Sequence, residues 1–245
     1  MNDARIIKGL LMPEKRILYK LPVNNGENIL ILSPHMDDET LGCGGLITKM
    51  ISLNINIEVI VMTDGNGGGK CKNISMIRKK EFLKAKSVLG YSDFCIWNYP
   101  DGKLLLYKNE LIKKVKEKIL ESRPRIVLVP NLNDKNIDHQ ITNFVLAMAL
   151  KELEHSNILV GMYEIWTPIV YPNCYLDITK EYQNKCNAMK CYQSQENYFG
   201  IIDKAKYLGM FRANLSMIYR ADYMECFKLI PASKYETLVK VWHMH

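Results

Sequence analysis

Residues 28–39 read Asn28-Ile29-Leu30-Ile31-Leu32-Ser33-Pro34-His35-Met36-Asp37-Asp38-Glu39, a short apolar run that stops in an imidazole and three carboxylates. An unbroken apolar run of this length is expected of a strand buried on both faces, as inside a parallel sheet. Residues 39–53 then carry Leu41, Leu46, Ile47, Met50 and Ile51, spaced largely by three and four, which suits a helix packed on that sheet.

The alternation continues outward from this stretch. Strand signals at 57–62, 94–97, 125–129 and 157–163 alternate with helical patterns at 75–89, 108–122 and 139–153, with Gly90 closing the first of these helices and Pro124 following the second. The last third reads as two helical stretches, near 179–193 and 201–227, with no readable relation to the sheet. This order predicts an open α/β fold with a mostly parallel sheet, its functional residues beyond the carboxyl ends of the strands. Without a repeat, low-complexity tract or linker, the expectation is one domain over 1–245, with a motif-bearing core at about 28–200 and a helical C-terminal extension at about 201–245.

Composition narrows the partners. A chain of 245 residues, 48% hydrophobic and 24% charged, is globular in type, and no apolar run approaches the ~18 to 20 residues of a membrane span. Residues 1–20 carry seven charged side chains around the short run Leu10-Leu11-Met12-Pro13, too little for a signal peptide, so the cytoplasm is expected. The seven cysteines are scattered without a C-x-x-C pair, which suggests neither a disulfide framework nor a zinc ribbon. The net charge of +7 taken alone admits nucleic acid, a membrane surface or an anionic substrate. Residues 70–125, however, hold 15 Lys and Arg against 6 Asp and Glu, so the excess is local. It is either a solvated face or a field that steers an anionic substrate. No nucleic-acid partner is expected, and a homo-oligomer is compatible with the sequence.

Two strand ends carry the chemistry. His35 and Asp38 form an i, i+3 pair able to bring nitrogen and oxygen ligands together. After the strand at 125–129 comes Asn131-Leu132-Asn133-Asp134-Lys135-Asn136-Ile137-Asp138-His139. If the two strands are neighbours, His139 meets His35 and Asp38, and two histidines with one carboxylate and an open position make a catalytic zinc arrangement. Asp37 is then left free as a base. The alternative is a capped, polar strand-end loop, since Asp37 or Asp38 can cap the helix that follows. Arg78 heads an inward stripe with Phe82, Ala85 and Leu89, so its head either reaches solvent or points into a cleft. Asp101 lies in a Pro-Asp-Gly turn. Gly42-Cys43-Gly44-Gly45 and Gly65–Gly69 lack nucleotide-binding spacing and read as close helix packing and a mobile loop at the site's edge. Trp97 and Trp166 read mainly as core residues.

Taken together, these motifs resemble the N-acetylglucosaminyl-phosphatidylinositol de-N-acetylase (PIG-L, or LmbE-like) family. The resemblance runs through Pro34-His35-Met36-Asp37-Asp38-Glu39, Met62-Thr63-Asp64-Gly65, Arg78-Lys79-Lys80-Glu81, Pro100-Asp101-Gly102, Asp138-His139 and Lys185-x-x-Ala188-x-x-x-Tyr192-x-Ser194-Gln195, over about residues 28 to 200. It implies a Rossmann-like fold and zinc-dependent hydrolysis of an N-acetyl group, usually on an amino sugar or GlcNAc-containing glycoconjugate. It also implies that His35, Asp38 and His139 hold Zn2+, that Asp37 is the general base, and that Arg78 and Asp101 contact substrate. Asp138 either orients His139 or caps the helix 139–153. The role of Tyr192, Ser194 and Gln195 does not follow from the sequence.

One position departs from the family. Asn136 stands where the family usually has a histidine; an amide donates a hydrogen bond to an oxyanion but shuttles no proton near neutral pH. This departure motivates a second reading, a sugar-binding protein on a decayed deacetylase scaffold. A third keeps the enzyme and changes the amide, to a thiol conjugate or antibiotic intermediate. The remaining histidines are His155, His243 and His245, and a tail histidine folding over the site is the weaker alternative to a solvated tail.

Overall fold

Ile29 and Ile31 of the first strand belong to one apolar cluster and Leu30 and Leu32 to another, so the strand has a core on each face. The computed structural model describes residues 17–153, 157–216 and 220–242. His155, His243, His245 and the run at 10–13 lie outside the described residues.

The elements follow in order as β1 (Asn28–Ser33), α1 (Asp38–Ser52), β2 (Asn56–Thr63), α2 (Ile74–Leu89), β3 (Asp93–Tyr99), a short 3-10 turn (Leu104–Tyr107), α3 (Lys108–Ser122), β4 (Ile126–Pro130), α4 (Ile137–Lys151) and β5 (Leu159–Tyr163). They continue with β6 (Cys174–Asp177), α5 (Tyr182–Met189), α6 (Gln193–Phe199), α7 (Ile201–Leu215), β7 (Met224–Pro231) and α8 (Ala232–Trp242). The sheet order is β3-β2-β1-β4-β5-β7-β6. The first five strands are parallel, and β7 runs antiparallel to both β5 and β6. One face packs Leu46 and Ile47 of α1 with Phe82, Ala85 and Leu89 of α2. The other packs Leu111 and Val115 of α3, Val145 and Leu146 of α4 and Tyr235 of α8. The chain winds outward from β1 in one direction and from β4 in the other, so the crevice at their carboxyl ends is the topological switch point, where open α/β sheets bind ligands.

The α/β architecture and its parallel core agree with the sequence pattern; the C-terminal third does not. The stretch expected to be helical over 201–227 is helix only to Leu215, and Met224–Pro231 enters the sheet as β7. Residues after 200 are therefore no helical extension, because β7 hydrogen-bonds between β5 and β6. Glu225 and Lys228 interrupt the apolar run of β7 and disguise it, yet both are buried. The helix expected near 179–193 is confined to α5, and α6 begins only at Gln193.

Close packing explains one glycine-rich segment. A Cβ on Gly42 would lie 2.2 Å from the Tyr163 ring, whose hydroxyl donates to Leu32 O at 2.9 Å. All seven cysteines are free thiols. No described helix is long and apolar enough to cross a membrane.

Candidate metal centre and active site

The loop after β1 brings His35 back against the start of α1. Asp38 Oδ2 accepts from His35 N at 2.9 Å and lies 3.1 Å from His35 Nδ1. From the neighbouring β4, the loop ending in α4 delivers His139, whose Nε2 lies 3.2 Å from Asp38 Oδ2 and 3.3 Å from His35 Nδ1. The three atoms form a nearly equilateral triangle of buried ligand atoms. Metal bonds of about 2.0–2.2 Å at tetrahedral angles set ligand atoms about 3.3 Å apart, so the triangle fits a zinc-type ion.

The far sides of both rings support the same assignment. His35 Nε2 faces Asp101 Oδ1 at 3.2 Å and Asp138 Oδ2 at 3.4 Å. His139 Nδ1 lies 3.3 Å from Asp134 Oδ1, an ion-pair contact rather than a well-aligned hydrogen bond. Each outer nitrogen thus meets a carboxylate that favours an N–H there, which turns the lone pair of the other nitrogen toward the triangle.

The charges inside the cluster are strongly displaced. Burial disfavours the His35 imidazolium, but hydrogen bonds to Asp101, Asp138 and Asp38 outweigh it and hold the ring well above its ordinary pKa. Burial likewise works against His139, and Asp38 and Asp134 push it up to about 9. Burial alone would raise Asp38; the two histidines reverse this and hold its carboxyl far below the usual range. Without a cation both rings are thus held protonated around the Asp38 carboxylate, and a metal ion held by these three atoms would have to displace those protons.

Asp37 occupies the N-cap position of α1 but makes no capping bond. Its φ of 145° lies in the left-handed region that a non-glycine residue adopts only under constraint. Arg78 Nη2 donates to Asp37 Oδ1 at 3.0 Å and to Met36 O at 2.9 Å. Burial pushes Asp37 up to about 7, against the lowering effect of Arg78. A carboxylate near neutral matches the demand on a general base, and a cation bound beside it would draw it down. Neither Asp37 nor Asp38 makes a side-chain capping bond, although Asp38 and Glu39 stand in the first turn of α1, where a carboxylate complements the helix dipole.

The other expected site residues fall close by, some in different roles. Arg78 is only 3% exposed, so its guanidinium points inward and does not reach solvent. Asp101 is engaged on both oxygens: besides His35, it accepts from Gly67 N at 3.0 Å and lies 3.6 Å from Arg78 Nη1. Asp138 does not orient His139; it accepts from Gly102 N at 2.7 Å and Leu104 N at 3.2 Å, and it faces His35 instead. The carboxylate beside His139 is Asp134, which sequence reading passed over although it stands in the motif loop. Asn136 caps α4, its Oδ1 accepting from Asp138 N at 2.8 Å, which leaves its amide N–H groups for other acceptors. The glycine-rich loop is tied down rather than loose, because Gly67 bonds Asp101 and Gly68 packs against Arg78. Trp166 is partly exposed beside Phe199, with ring centroids 5.7 Å apart, rather than buried in the core. Lys79, Lys80 and Lys84 of the basic flank are exposed.

Comparison with known proteins is consistent with this geometry. Residues 30–150 match the family model described as PIG-L, GlcNAc-PI de-N-acetylase. The diacetylchitobiose deacetylase of Thermococcus kodakarensis is 26% identical over 193 residues, covering 71% of this chain and 72% of that protein. Among solved structures, the N,N'-diacetylchitobiose deacetylase from Pyrococcus horikoshii superposes with a TM-score of 0.73 at 22% identity, over 85% of each chain. GalB, a 4-carboxy-2-hydroxymuconate hydratase from Pseudomonas putida, superposes with a TM-score of 0.69 at 18% identity, over 83% of this chain and 96% of its own. The same fold therefore carries a different chemistry, and the activity must be argued from the site.

Proposed function

We propose that this chain, whose residues 30–150 belong to the PIG-L family of deacetylases, is a zinc-dependent hydrolase that removes the N-acetyl group of an amino sugar or GlcNAc-containing glycoconjugate and releases acetate. The observation that carries this reading is the triangle of His35 Nδ1, Asp38 Oδ2 and His139 Nε2, with Asp37 adjacent to Asp38 in the chain. His35, Asp38 and His139 hold the ion. When bound, zinc supplies a Lewis acid for the amide carbonyl and lowers the pKa of water to about 7.

The remaining work falls to the chain's own residues. Asp37 takes the proton of the attacking water and returns it to the departing amine. Asn136, its oxygen already used as a cap, offers amide N–H groups to the oxyanion of the tetrahedral intermediate. Arg78 keeps Asp37 in place, and the family resemblance makes Arg78 and Asp101 the contacts for substrate hydroxyl groups. Proton transfer does not pass through Asn136, so Asp37 serves both halves of the reaction.

Metal analysis of the purified protein, followed by an acetate assay on N,N'-diacetylchitobiose and other N-acetylated amino sugars, tests the proposal. Stoichiometric zinc with acetate release is expected, and Asp37→Ala should keep the zinc and lose turnover whereas His139→Ala loses both. Stoichiometric zinc without hydrolysis of any N-acyl substrate in a broad panel would favour a sugar-binding protein instead.

A further inference from the structure

The motif Lys185-x-x-Ala188-x-x-x-Tyr192-x-Ser194-Gln195 lies on α5 and α6, remote in sequence from the residues proposed for chemistry, and its polar side chains reach back toward them. Tyr192, fully buried, donates from its hydroxyl to Glu39 Oε1 at 2.8 Å. Glu39, also fully buried, accepts on Oε2 from Asp37 N at 3.2 Å and from Ser33 Oγ at 3.2 Å. Tyr192 therefore stands one carboxylate away from the backbone of the residue with φ 145°.

A second arm runs to the arginine. Ser194 N and Oγ donate to Glu81 at 2.8 and 2.6 Å, fixing α6 to the helix that carries Arg78. Gln195 Nε2 donates to Gly68 O at 3.0 Å, and Gly68 lies so close to Arg78 that a Cβ there would meet Nη1 at 2.4 Å. A third contact seats the helix: Lys185 Nζ donates to Leu41 O at 2.6 Å and to Glu225 Oε1 at 2.7 Å, while Glu225 accepts from Gly45 N and Leu46 N.

From these contacts we infer that the segment Lys185–Gln195 is a positioning clasp for Asp37. Tyr192, through Glu39, holds the strained Asp37 backbone, and Gln195, through Gly68, holds the Arg78 that orients its carboxylate. None of the three ligand atoms of the metal triangle takes part in either arm, but Ser33 Oγ, a partner of Glu39, also donates to His35 O at 2.7 Å, so metal content is read beside kcat. A strained backbone persists only where its surroundings over-determine it, and here the hydroxyl of Tyr192 is one of the constraints.

The inference rests on Asp37 being the base, and its test separates the two. Tyr192→Phe removes one oxygen from the holoprotein. Assayed for acetate release from N,N'-diacetylchitobiose well below its unfolding temperature, it should lose about 10-fold or more in kcat, with KM and metal content unchanged. In the crystal structure of the variant, the φ of Asp37 should leave its wild-type value. A merely structural tyrosine lowers the unfolding temperature and leaves kcat alone; that result, or a kcat loss that tracks loss of metal, overturns the proposal. If Tyr192→Phe fails to fold, Gln195→Ala cuts the second arm and should give the same split between kcat and KM. If wild-type protein releases no acetate from any substrate, the functional reading has failed, and the φ of Asp37 in the Tyr192→Phe crystal still decides whether the clasp exists.

Discussion

Arg78 Nη2 lies 3.0 Å from Asp37 Oδ1, a buried ion pair that ties the start of α2 to the loop between β1 and α1. The same nitrogen also holds Met36 O, so one guanidinium fixes both the backbone and the carboxylate of the proposed base. Removing it strands a carboxylate in the interior. Arg78→Ala is expected to destabilise the protein by about 3–5 kcal/mol in urea unfolding. Where it still folds, it should lower the rate of acetate release about 100-fold through misplacement of the base. Wild-type stability and turnover in this variant would show that the pair does neither job.

Asp134 is the carboxylate at the outer nitrogen of His139. Asp134→Asn should weaken metal binding by about 10- to 100-fold in competition with a chelator, because the partner that fixes the imidazole tautomer is lost. Asp138→Asn should act differently, loosening the turn at Gly102–Leu104 and the contact to His35 while leaving the His139 partner intact. Unchanged metal affinity in Asp134→Asn would remove it from the site.

Asn136 has two separable roles. As the N-cap of α4 its side-chain oxygen accepts from Asp138 N, so Asn136→Ala should cost about 1 kcal/mol of stability and also slow the reaction. Asn136→Asp should restore the cap but not the rate, since a carboxylate repels the oxyanion that the amide stabilises. Thermal melts beside acetate assays read the two effects apart. A fully active Asn136→Ala would leave only the cap.

The metal site should be proton-linked. Without a cation, burial is outweighed by carboxylate partners at both histidines, and His139 is pushed up to about 9. A raised histidine pKa favours the protonated ring below that value, whereas the metal needs the neutral ring. The apparent zinc affinity should therefore rise with pH up to about 9, and binding at neutral pH should release protons. By the same sign, whatever stability these histidines give the metal-free protein is present at low pH and fades as pH rises through about 9. Titration calorimetry in two buffers of different ionisation enthalpy measures the released protons. No release, with affinity flat over the neutral range, would contradict the ligand assignment.

The sheet core and the metal triangle were readable in the sequence for one physical reason. Strands buried on both faces leave unbroken apolar runs, and residues placed directly after them must converge if the strands are neighbours, as His35, Asp38 and His139 do. What stayed hidden depends on partners far away in sequence. Glu225 and Lys228 break the apolar run of β7, and the burial of Glu225 makes sense only once Lys185 and the backbone of α1 are in place around it. β6 has only four residues, too few for a periodic signal. Asp134 and Glu39 were visible as carboxylates in the motif loops, but nothing local tells an orienting carboxylate from a capping one. The role of Asp138 is hidden for the same reason, since its partners Gly102 and Leu104 come from another loop.

Hydrolysis should depend on a metal held by His35, Asp38 and His139. Acetate release from N,N'-diacetylchitobiose, measured before chelation, after removal of the metal and after zinc is restored, tests it most directly. Activity should vanish with the metal, return with stoichiometric zinc, and never return in His139→Ala. Activity that survives complete metal removal, or that zinc restores equally in His139→Ala, would contradict it.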